Sequence, residues 1–313
     1  MKPFDWRGVF PAITTPFTPD GDVDLEFMGE HARWMIDRGC SGIIALGSLG
    51  EGGTLDPAER RRVLETLVAA AGSRAPVVAS VAAMSQREAL RQASEAEAVG
   101  CQALMVLPPY VYPADSRELP AYFEAVMAGE AGVTGGLPCM LYNNPVAYGL
   151  DMQPDEIADL AAKCPRLQAV KESSGDVRRV TALSAALRKE VPILVGVDDL
   201  LVEGVCAGAT GWVAGLANAF PEESVRLLTL SRAASTGDER AARDMKALYA
   251  WFLPLLRFDT GAKFVHLIKL VQERVGRGSS RVRAPRLALS ASERANAEAV
   301  ISRALESIPP EIA

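Results

Sequence analysis

The amino-acid sequence predicts an α/β fold, a (β/α)8 TIM barrel followed by a C-terminal helical extension. Short apolar runs alternate with longer amphipathic runs, and eight such pairs fill about 230 residues, the size of this barrel. The short runs lack the polar alternation of a half-exposed strand, so we expect both faces of each strand to be covered. A doubly wound open sheet shares these features and is the alternative.

The predicted strands are short and rich in Val, Ile, Leu and Ala, as is typical of buried parallel strands. In chain order they are Val9–Thr14, Ser41–Leu46, Pro76–Val81, Ala103–Leu107, Pro138–Tyr142, Leu167–Lys171, Pro192–Gly196 and Gly211–Gly215. The segments between them have the apolar spacing of three and four that indicates helices. Four of these helices begin at residues that favour a helix start, namely Asp56-Pro57, Ser85, Pro154 and Pro221.

The pattern changes after the eighth pair. Residues 238–308 keep helical periodicity without a strand candidate, with interruptions at Pro254 and around residues 276–280. We therefore expect residues 1–235 to form the catalytic barrel and residues 236–313 to form a helical extension packed on it. The basic stretch Arg274–Arg286 has no aromatic residue for nucleic-acid binding, and it is predicted to be a solvated linker.

Composition excludes several functional classes. The chain of 313 residues has 49% hydrophobic and 23% charged residues, which is typical of a soluble globular protein. Its net charge of −6 favours neither nucleic acid nor an anionic membrane, and no apolar run approaches the roughly 18 residues of a membrane span, so we expect a cytoplasmic protein. Two histidines and five scattered cysteines without a CxxC pair argue against a zinc site, a Ser-His-Asp triad and a disulfide framework.

The position of Lys171 indicates covalent chemistry. Catalytic groups of a (β/α)8 barrel lie at the C-terminal ends of its strands, and Lys171 ends the sixth predicted strand. Burial there would lower the pKa of its amine and make it a nucleophile toward a carbonyl or imine carbon. A lysine at the rim that extends into water is the alternative, and the strand position alone leaves both open.

Two neighbouring positions fit the same chemistry. Tyr142 ends the fifth predicted strand and could relay the protons that imine formation requires. Ser48, in the Gly-rich loop Gly47–Glu51, could hydrogen-bond that phenol, while backbone N–H groups of the loop suit a substrate carboxylate. The alternatives are an aromatic side chain that only packs and a loop that is only a tight turn. The loop lacks both the GxGxxG spacing and the Lys-Ser/Thr ending of nucleotide-binding loops.

Several ordered motifs give the chain a family resemblance over nearly its whole length. They are Gly8–Phe17 (GVFPAITTPF), Gly47–Glu51 (GSLGE), Tyr142–Pro145 (YNNP), Val170–Gly175 (VKESSG), and Gly196 followed by Asp198-Asp199. With these motifs the chain resembles the dihydrodipicolinate synthase / N-acetylneuraminate lyase family of class I aldolases, dehydratases and deaminases. The resemblance favours the Schiff-base interpretation of Lys171 over the rim lysine.

The resemblance implies a set of roles and partners. Lys171 would form the imine with a small 2-oxo or 2-imino carboxylate and would need no metal or organic cofactor. Tyr142 would shuttle protons, and Ser48 would link Tyr142 to Tyr110 contributed by a neighbouring subunit. That link implies a homotetramer built from tight dimers. The implied substrate-binding residues are Ser48, Leu49, Gly50, Gly196 and Val213.

Two departures from the family pattern narrow the substrate. Leu49 stands where many members have a second Ser or Thr for the substrate carboxylate, which removes a hydrogen bond worth about 0.5–1.5 kcal/mol. Dihydrodipicolinate synthases place an arginine shortly after the Tyr142 turn to bind the carboxylate of a second substrate, and Pro145–Tyr148 (PVAY) has none. The lysine-biosynthetic condensation is therefore disfavoured.

The GSLGE loop and the YNNP turn are most similar to the 1-pyrroline-4-hydroxy-2-carboxylate deaminases of hydroxyproline catabolism. That branch implies dehydration and deamination of the cyclic imine to 2-oxoglutarate semialdehyde and ammonia. A dehydratase or aldolase of 2-keto-3-deoxy sugar acids is an alternative, but Leu49, Val146, Ala147 and Val213 predict a smaller and drier pocket than such substrates need. A non-catalytic sensor of 2-oxo acids is a further alternative, against which Lys171, Tyr142 and Ser48 argue together, because pure binding needs no proton relay.

Overall fold

Eight parallel strands form the centre of the structure. The computed structural model describes residues 4–110, 112–128, 136–188 and 191–308. Each predicted strand is present, in most cases one to three residues shorter than predicted. The strands are β1 (Gly8–Pro11), β2 (Ile43–Ala45), β3 (Val77–Val81), β4 (Ala103–Val106), β5 (Cys139–Asn143), β6 (Leu167–Glu172), β7 (Ile193–Val195) and β8 (Gly211–Ala214).

The strands close into a barrel. Each strand from β2 to β7 pairs in parallel with the next along the chain, and β1 pairs in parallel with β8. The ring closes between β1 and β2, where Ala12 bridges to Ile44 and the N–H of Ile13 donates to the carbonyl of Ile44 at 2.9 Å. The predicted (β/α)8 barrel is thereby confirmed, and the alternative of an open doubly wound sheet is wrong.

Helices follow the strands and cover the outside of the barrel. They are α1 (Leu25–Asp37), α2 (Pro57–Ala71), α3 (Gln86–Val99), α4 (Glu118–Ala128), α5 (Pro145–Tyr148), α6 (Pro154–Lys163), α7 (Arg178–Ala186), α8 (Leu201–Cys206), α9 (Pro221–Ser235), α10 (Glu239–Leu256), α11 (Phe264–Arg274) and α12 (Ala291–Glu306). The predicted start at Asp56 is a capping box, in which the Asp56 carboxylate accepts from the N–H of Glu59 and the Glu59 carboxylate accepts from the N–H of Asp56. Among the described residues, no helix is both long and apolar enough to cross a membrane.

Side chains fill the barrel and close one of its ends. Phe10, Met105, Met140 and other residues of the strands form a buried interior cluster. At the N-terminal ends of the strands Trp6 packs against Phe10, with ring centroids 6.2 Å apart, and is almost fully buried. Because aromatic rings fill this end, the barrel opens only at the C-terminal ends of its strands.

The C-terminal helices pack on the barrel and on one another. The indole N–H of Trp251 in α10 donates to the carbonyl of Ala304 in α12 at 2.9 Å. A 3-10 turn, Arg257–Asp259, follows α10 and reaches the loop after β7, where Asp259 Oδ2 accepts from the N–H of Asp198 at 3.3 Å. The extension thus contacts the open end of the barrel. The division of the chain at residue 235 stays a prediction.

The basic stretch Arg274–Arg286 is not the solvated linker that its composition predicts. Arg283 forms two hydrogen bonds, of 2.7 and 2.8 Å, with the Glu59 carboxylate at the start of α2. Its backbone N–H also donates to Glu51 in the loop after β2. The prediction was wrong because the acidic partners lie more than two hundred residues earlier in the chain, where local composition gives no sign of them.

A buried ion pair joins the extension to the same loop. The ammonium of Lys269 lies 2.5 Å from Glu51 Oε1 and donates to the carbonyl of Arg281 at 2.7 Å. Both charged side chains are withdrawn from water, and burial lowers the pKa of Lys269 to about 8 against the opposing charge of Glu51. The pair therefore ties α11 to the Gly-rich loop at the open end of the barrel.

We predict that breaking this pair destabilises the protein strongly. Lys269→Met leaves the Glu51 carboxylate buried without its main partner, so the free energy of unfolding is expected to fall by about 3–5 kcal/mol. The double variant Glu51→Gln/Lys269→Met removes both charges and is expected to recover most of that loss. Urea unfolding followed by circular dichroism measures both changes.

The exposed ion pair between Arg61 and Glu65 supplies a matched control. Its atoms lie 2.8 Å apart and both side chains are about half exposed. Arg61→Met is therefore expected to change the free energy of unfolding by less than about 1 kcal/mol. An equal decrease in the free energy of unfolding in Arg61→Met and Lys269→Met would show that the buried pair does not hold the extension in place.

Candidate active site

A cavity of about 700 Å³ lies at the open end of the barrel. The ends of β5, β6 and β8 border it, together with the Gly-rich loop after β2 and the segment of the C-terminal extension that follows α10. Lys171 is the one basic residue among the described residues that line this cavity. Within the described part of the chain, no group of three or more His, Cys, Asp or Glu side chains is placed to hold a metal ion.

Lys171 lies on β6 with its side chain inside the barrel mouth. The strand register places it beside Tyr142 of β5 and Leu194 of β7, and only 7% of the residue is exposed. Its Nζ atom lies 3.8 Å from the ring centroid of Tyr142. Burial lowers the pKa of the amine to about 8, although the carboxyls of Asp259 and Asp198 act in the opposite direction. The side chain is therefore not the water-exposed rim lysine of the alternative interpretation.

Tyr142 contributes both a ring face and a hydroxyl group to the cavity. The residue is buried, and its hydroxyl accepts a hydrogen bond of 2.9 Å from the side-chain amide of Asn144. Burial raises the pKa of Tyr142 to about 12. Near neutral pH the phenol is therefore protonated and can donate a hydrogen bond to a group bound above Lys171.

Ser48 has a partner that the sequence did not predict. Its hydroxyl is hydrogen-bonded to the hydroxyl of Tyr148, the last residue of α5. The ring of Tyr148 stands edge-on to Tyr142 at 5.8 Å and lies 5.5 Å from the ring of Tyr110. Tyr148 thus stands between the three predicted relay residues within one chain. A relay to the partner subunit's Tyr110 stays a prediction.

The sequence analysis did not identify Tyr148 as a site residue, because it considered the segment Pro145–Tyr148 only for the arginine that this segment lacks. The signal was nevertheless present, since Tyr148 closes a one-turn helix directly after the Tyr142 turn. In that helix the side chain of Asn144 accepts from the N–H of Ala147 at 3.0 Å. This cap turns Tyr148 back toward the end of β5.

The Gly-rich loop is held in a strained and well-supported conformation. Leu46, which precedes the loop, and Glu51, its last residue, have left-handed backbones with φ of 63° and 51°. The hydroxyl of Thr15 donates to the carbonyl of Gly50 at 2.6 Å, and a Cβ atom on Gly50 would lie 2.9 Å from the carbonyl of Ile13. These contacts fix the position of the loop against β1.

The fixed loop can serve as an anion site. In the described part of the chain, the N–H groups of Ser48 and Leu49 donate to no protein acceptor. The side chain of Leu49 is buried and borders the cavity, so the loop offers backbone donors beside an apolar wall. Such an arrangement suits a carboxylate attached to a small carbon skeleton.

Gly196, which follows β7, and Val213, on β8, also border the cavity. A Cβ atom on Gly196 would lie 1.9 Å from the hydroxyl of Ser173 and 2.7 Å from Cε of Lys171. The Ser173 and Lys171 side chains lie so close to position 196 that any larger residue there would have to displace them. Val213 is buried on β8 and adds to the apolar wall.

Two carboxyl groups near Lys171 were not predicted as site residues. Asp198 is fully buried and accepts from the indole N–H of Trp212 at 2.9 Å and from the N–H of Leu216 at 2.7 Å. Asp259 is half-buried and lines the cavity. Burial raises the pKa of Asp198 to about 6 and raises that of Asp259 well above its ordinary value. Asp259 lies in a region whose only sequence signal is helical periodicity, so no pattern pointed to it.

The cavity is larger and more polar than the small, dry pocket that the sequence predicts. Besides Leu49, Val146 and Val213, its wall includes polar residues, namely Ser48, Asn144, Ser173, Asp199, Asp259 and Thr260. The prediction considered only the loops after β2, β5 and β8. It therefore missed the polar wall that the C-terminal extension and the loop after β7 supply.

Comparisons with known proteins agree with this geometry. Residues 5–304 match the model of the "Dihydrodipicolinate synthetase family". A 4-hydroxy-tetrahydrodipicolinate synthase of Stenotrophomonas maltophilia is 33% identical over 295 residues, which covers 93% of this chain and 94% of that protein.

Solved structures show the same architecture. The 4-hydroxy-tetrahydrodipicolinate synthase of Methylacidiphilum fumariolicum SolV superposes with a TM-score of 0.88 at 26% identity, covering 96% of this chain and 97% of that one. A prophage protein from E. coli K12, of the dihydrodipicolinic acid synthase family and solved in complex with pyruvate, superposes with a TM-score of 0.86 at 25% identity, covering 96% and 99%.

The pKa of Lys171 gives a prediction about its reactivity. Because only the neutral amine is nucleophilic, acetylation of Lys171 by acetic anhydride is expected to rise through a midpoint near pH 8, with a tenfold fall for about each pH unit below it. Peptide mass spectrometry after brief labelling measures the rate, and the exposed Lys163 in the same sample is the internal reference. Identical pH profiles for Lys171 and Lys163 would contradict the buried amine.

The close packing at Gly196 gives a second prediction. Gly196→Ala places a methyl group against Ser173 and Lys171 and is expected to lower the free energy of unfolding by about 1–3 kcal/mol. Gly53→Ala is the matched control, because a Cβ atom there meets no atom within 4 Å, and a change within about 0.5 kcal/mol is expected. Urea unfolding of the two variants measures both changes. Equal free energies of unfolding for Gly196→Ala and Gly53→Ala would show that Gly196 is not packed against Lys171.

Proposed function

This chain belongs to the dihydrodipicolinate synthetase family of class I Schiff-base lyases, and we propose that it acts on small 2-oxo or cyclic 2-imino carboxylates through an imine on Lys171. The best candidate substrate is 1-pyrroline-4-hydroxy-2-carboxylate, which would be dehydrated and deaminated to 2-oxoglutarate semialdehyde and ammonia. The observation that carries the proposal is the buried amine of Lys171, whose lowered pKa makes it nucleophilic near neutral pH.

The amine attacks C2 of the bound carboxylate. In a linear 2-oxo acid the carbinolamine then loses water, and in a cyclic imine the ring nitrogen leaves and the ring opens. Each path needs a proton donor beside C2, and the protonated phenol of Tyr142 borders the same space. The iminium on Lys171 then acts as the electron sink for chemistry at C3 and C4, so no separate cofactor is required.

The Gly-rich loop binds the substrate carboxylate in this proposal. The free N–H groups of Ser48 and Leu49, next to Gly50, supply the donors, and Val213 and Gly196 border the carbon chain. The hydroxyl pair of Ser48 and Tyr148 lies between this carboxylate position and Tyr142. Protons can therefore pass along it to the phenol.

Two observations favour the hydroxypyrroline over the condensation that gives 4-hydroxy-tetrahydrodipicolinate synthases their name. The segment Pro145–Tyr148 contains no arginine, and no described residue lining the cavity is an arginine. A second carboxylate would have no bidentate partner there. The synthase nevertheless remains the second candidate, because relatives of 33% identity carry that name.

The size and the polar wall of the cavity support a third candidate. A volume of about 700 Å³ and the side chains of Asp199 and Thr260 suit a 2-keto-3-deoxy sugar acid with several hydroxyl groups. A binding protein without turnover is a poorer fit, since binding alone requires neither a depressed lysine pKa nor a buried phenol beside it.

We also infer a homotetramer built from tight dimers. Tyr110 is 40% exposed, and Tyr112 and Met84 are other large exposed apolar residues near the same end of the barrel. Large exposed apolar side chains are typical of subunit interfaces. In the proposed dimer the partner subunit's Tyr110 approaches the pair of Ser48 and Tyr148 and completes the proton relay.

The proposal predicts a covalent adduct and ammonia release. Borohydride added with pyruvate or with the hydroxypyrroline should increase the intact mass by one reduced adduct, mapped by peptide digestion to Lys171. Lys171→Met should form no adduct and should lose at least about 10³-fold of the turnover rate, as expected for a nucleophile. An adduct on another lysine, or turnover by Lys171→Met at the parental rate, would overturn the mechanism.

A substrate panel distinguishes the candidates. Ammonia release from the hydroxypyrroline would support the deaminase. Condensation of pyruvate with aspartate semialdehyde would support the synthase, and turnover of 2-keto-3-deoxy sugar acids would support the dehydratase or aldolase. An adduct with pyruvate but no turnover of any of them would support the binding protein.

A further inference from the structure

The C-terminal extension places a carboxyl group opposite the catalytic amine. Asp259 ends the 3-10 turn after α10 and lines the cavity that contains Lys171. A Cβ atom on Gly215, at the end of β8, would lie 3.0 Å from Asp259 Oδ1 and 3.2 Å from Asp198 Oδ2. The glycine therefore lets two carboxyl groups approach the same strand end, beneath the cavity.

The two carboxyl groups have different hydrogen-bond environments. Asp198 accepts from three N–H groups, those of Trp212, Gly215 and Leu216, at 2.7–3.1 Å. Asp259 accepts from one, the N–H of Asp198, and Oδ1 has no protein donor among the described residues. Because N–H donors stabilise a carboxylate, Asp198 is the better place for the negative charge and Asp259 is the better place for a proton.

Burial and nearby charges also change the pKa values of the two carboxyl groups. Burial raises the pKa of Asp198 to about 6, while the three N–H donors oppose that rise. Burial and the nearby charge of Asp198 raise the pKa of Asp259 well above its ordinary value, although the charge of Lys171 acts in the opposite direction. These effects and its single N–H donor favour the protonated form of Asp259.

We propose that Asp259 is a catalytic general acid that protonates a hydroxyl group leaving from C4 of the substrate joined to Lys171. This inference rests on the proposed Schiff-base function. It adds the substrate class, namely 2-oxo or cyclic 2-imino acids with a hydroxyl group on the second carbon beyond the carbonyl or imine carbon.

The step balances without a further reagent. A base removes a proton from C3 of the iminium, and the electron pair forms the C2=C3 bond of an enamine. The enamine then re-forms the C2=N bond and creates a C3=C4 bond, while the C4–O bond breaks and oxygen takes its electron pair and the Asp259 proton as water. The proton removed from C3 returns to Asp259 through the base and solvent, so water is the only product lost.

A matched pair of small substrates tests the role of the acid. 4-Hydroxy-2-oxobutanoate loses hydroxide and needs a proton donor, whereas 4-chloro-2-oxobutanoate loses chloride and needs none. Asp259→Asn is expected to lower the rate of water loss by about 10²–10⁴-fold and to change the rate of chloride loss by less than about threefold. The unsaturated 2-oxo acid product is followed by absorbance, after subtraction of the uncatalysed rate.

Two further measurements separate chemistry from structure. Asp259→Asn should still form the borohydride adduct with pyruvate and should still exchange the methyl protons of pyruvate for deuterium, since neither step involves a leaving group. Asp244→Asn is the matched control, because Asp244 lies on the same C-terminal extension but has a side chain that is 44% exposed and does not line the cavity, and its ratio of water loss to chloride loss should equal that of the wild type.

Three outcomes would overturn the inference. In Asp259→Asn, the rates of water loss and chloride loss could fall by the same factor, or neither rate could fall. The third is a wild-type protein that eliminates chloride from the chloro substrate but does not eliminate water from the hydroxy substrate. The proposed substrate is tested separately. A wild type that loses water from 4-hydroxy-2-oxobutanoate but releases no ammonia from the hydroxypyrroline would refute that substrate and leave the acid role in place.

Discussion

Burial of one amine, that of Lys171, is the constraint around which the rest of the structure is arranged. The β5–β6 register places the Tyr142 ring 3.8 Å from the amine, and the glycine at position 196 lets the lysine side chain approach closely. Aromatic packing at Trp6 closes the far end of the barrel, so the amine meets substrate from one side only. Burial disfavours the cation and lowers the pKa of the amine to about 8, so near neutral pH a fraction of it is the neutral nucleophile that a Schiff-base enzyme requires.

The C-terminal extension is part of this arrangement rather than a separate addition. Lys269 holds Glu51, and through it the Gly-rich loop that borders the cavity. Asp259 lines the same cavity and adds a carboxyl group whose pKa is raised by burial and by the charge of Asp198. The barrel alone would have the nucleophile and the phenol but neither the support of the anion loop nor the second acid.

The sequence predicted those features that local pattern determines. Eight apolar runs predicted the barrel. The lysine at the end of one of these runs predicted the position of the buried amine, because the C-terminal strand ends converge in this fold. Contacts between distant segments could not be predicted in the same way. Tyr148 was missed since its role depends on the position of Ser48, a hundred residues earlier, and helical periodicity around Asp259 does not reveal which side chain reaches the cavity.

The most direct measurement is a crystal structure of the protein soaked with pyruvate. The account predicts continuous electron density between Lys171 Nζ and C2 of pyruvate, with the pyruvate carboxylate against the N–H groups of Ser48 and Leu49. Pyruvate bound without a covalent bond, or a Lys171 side chain directed out of the cavity and away from Tyr142, would contradict it.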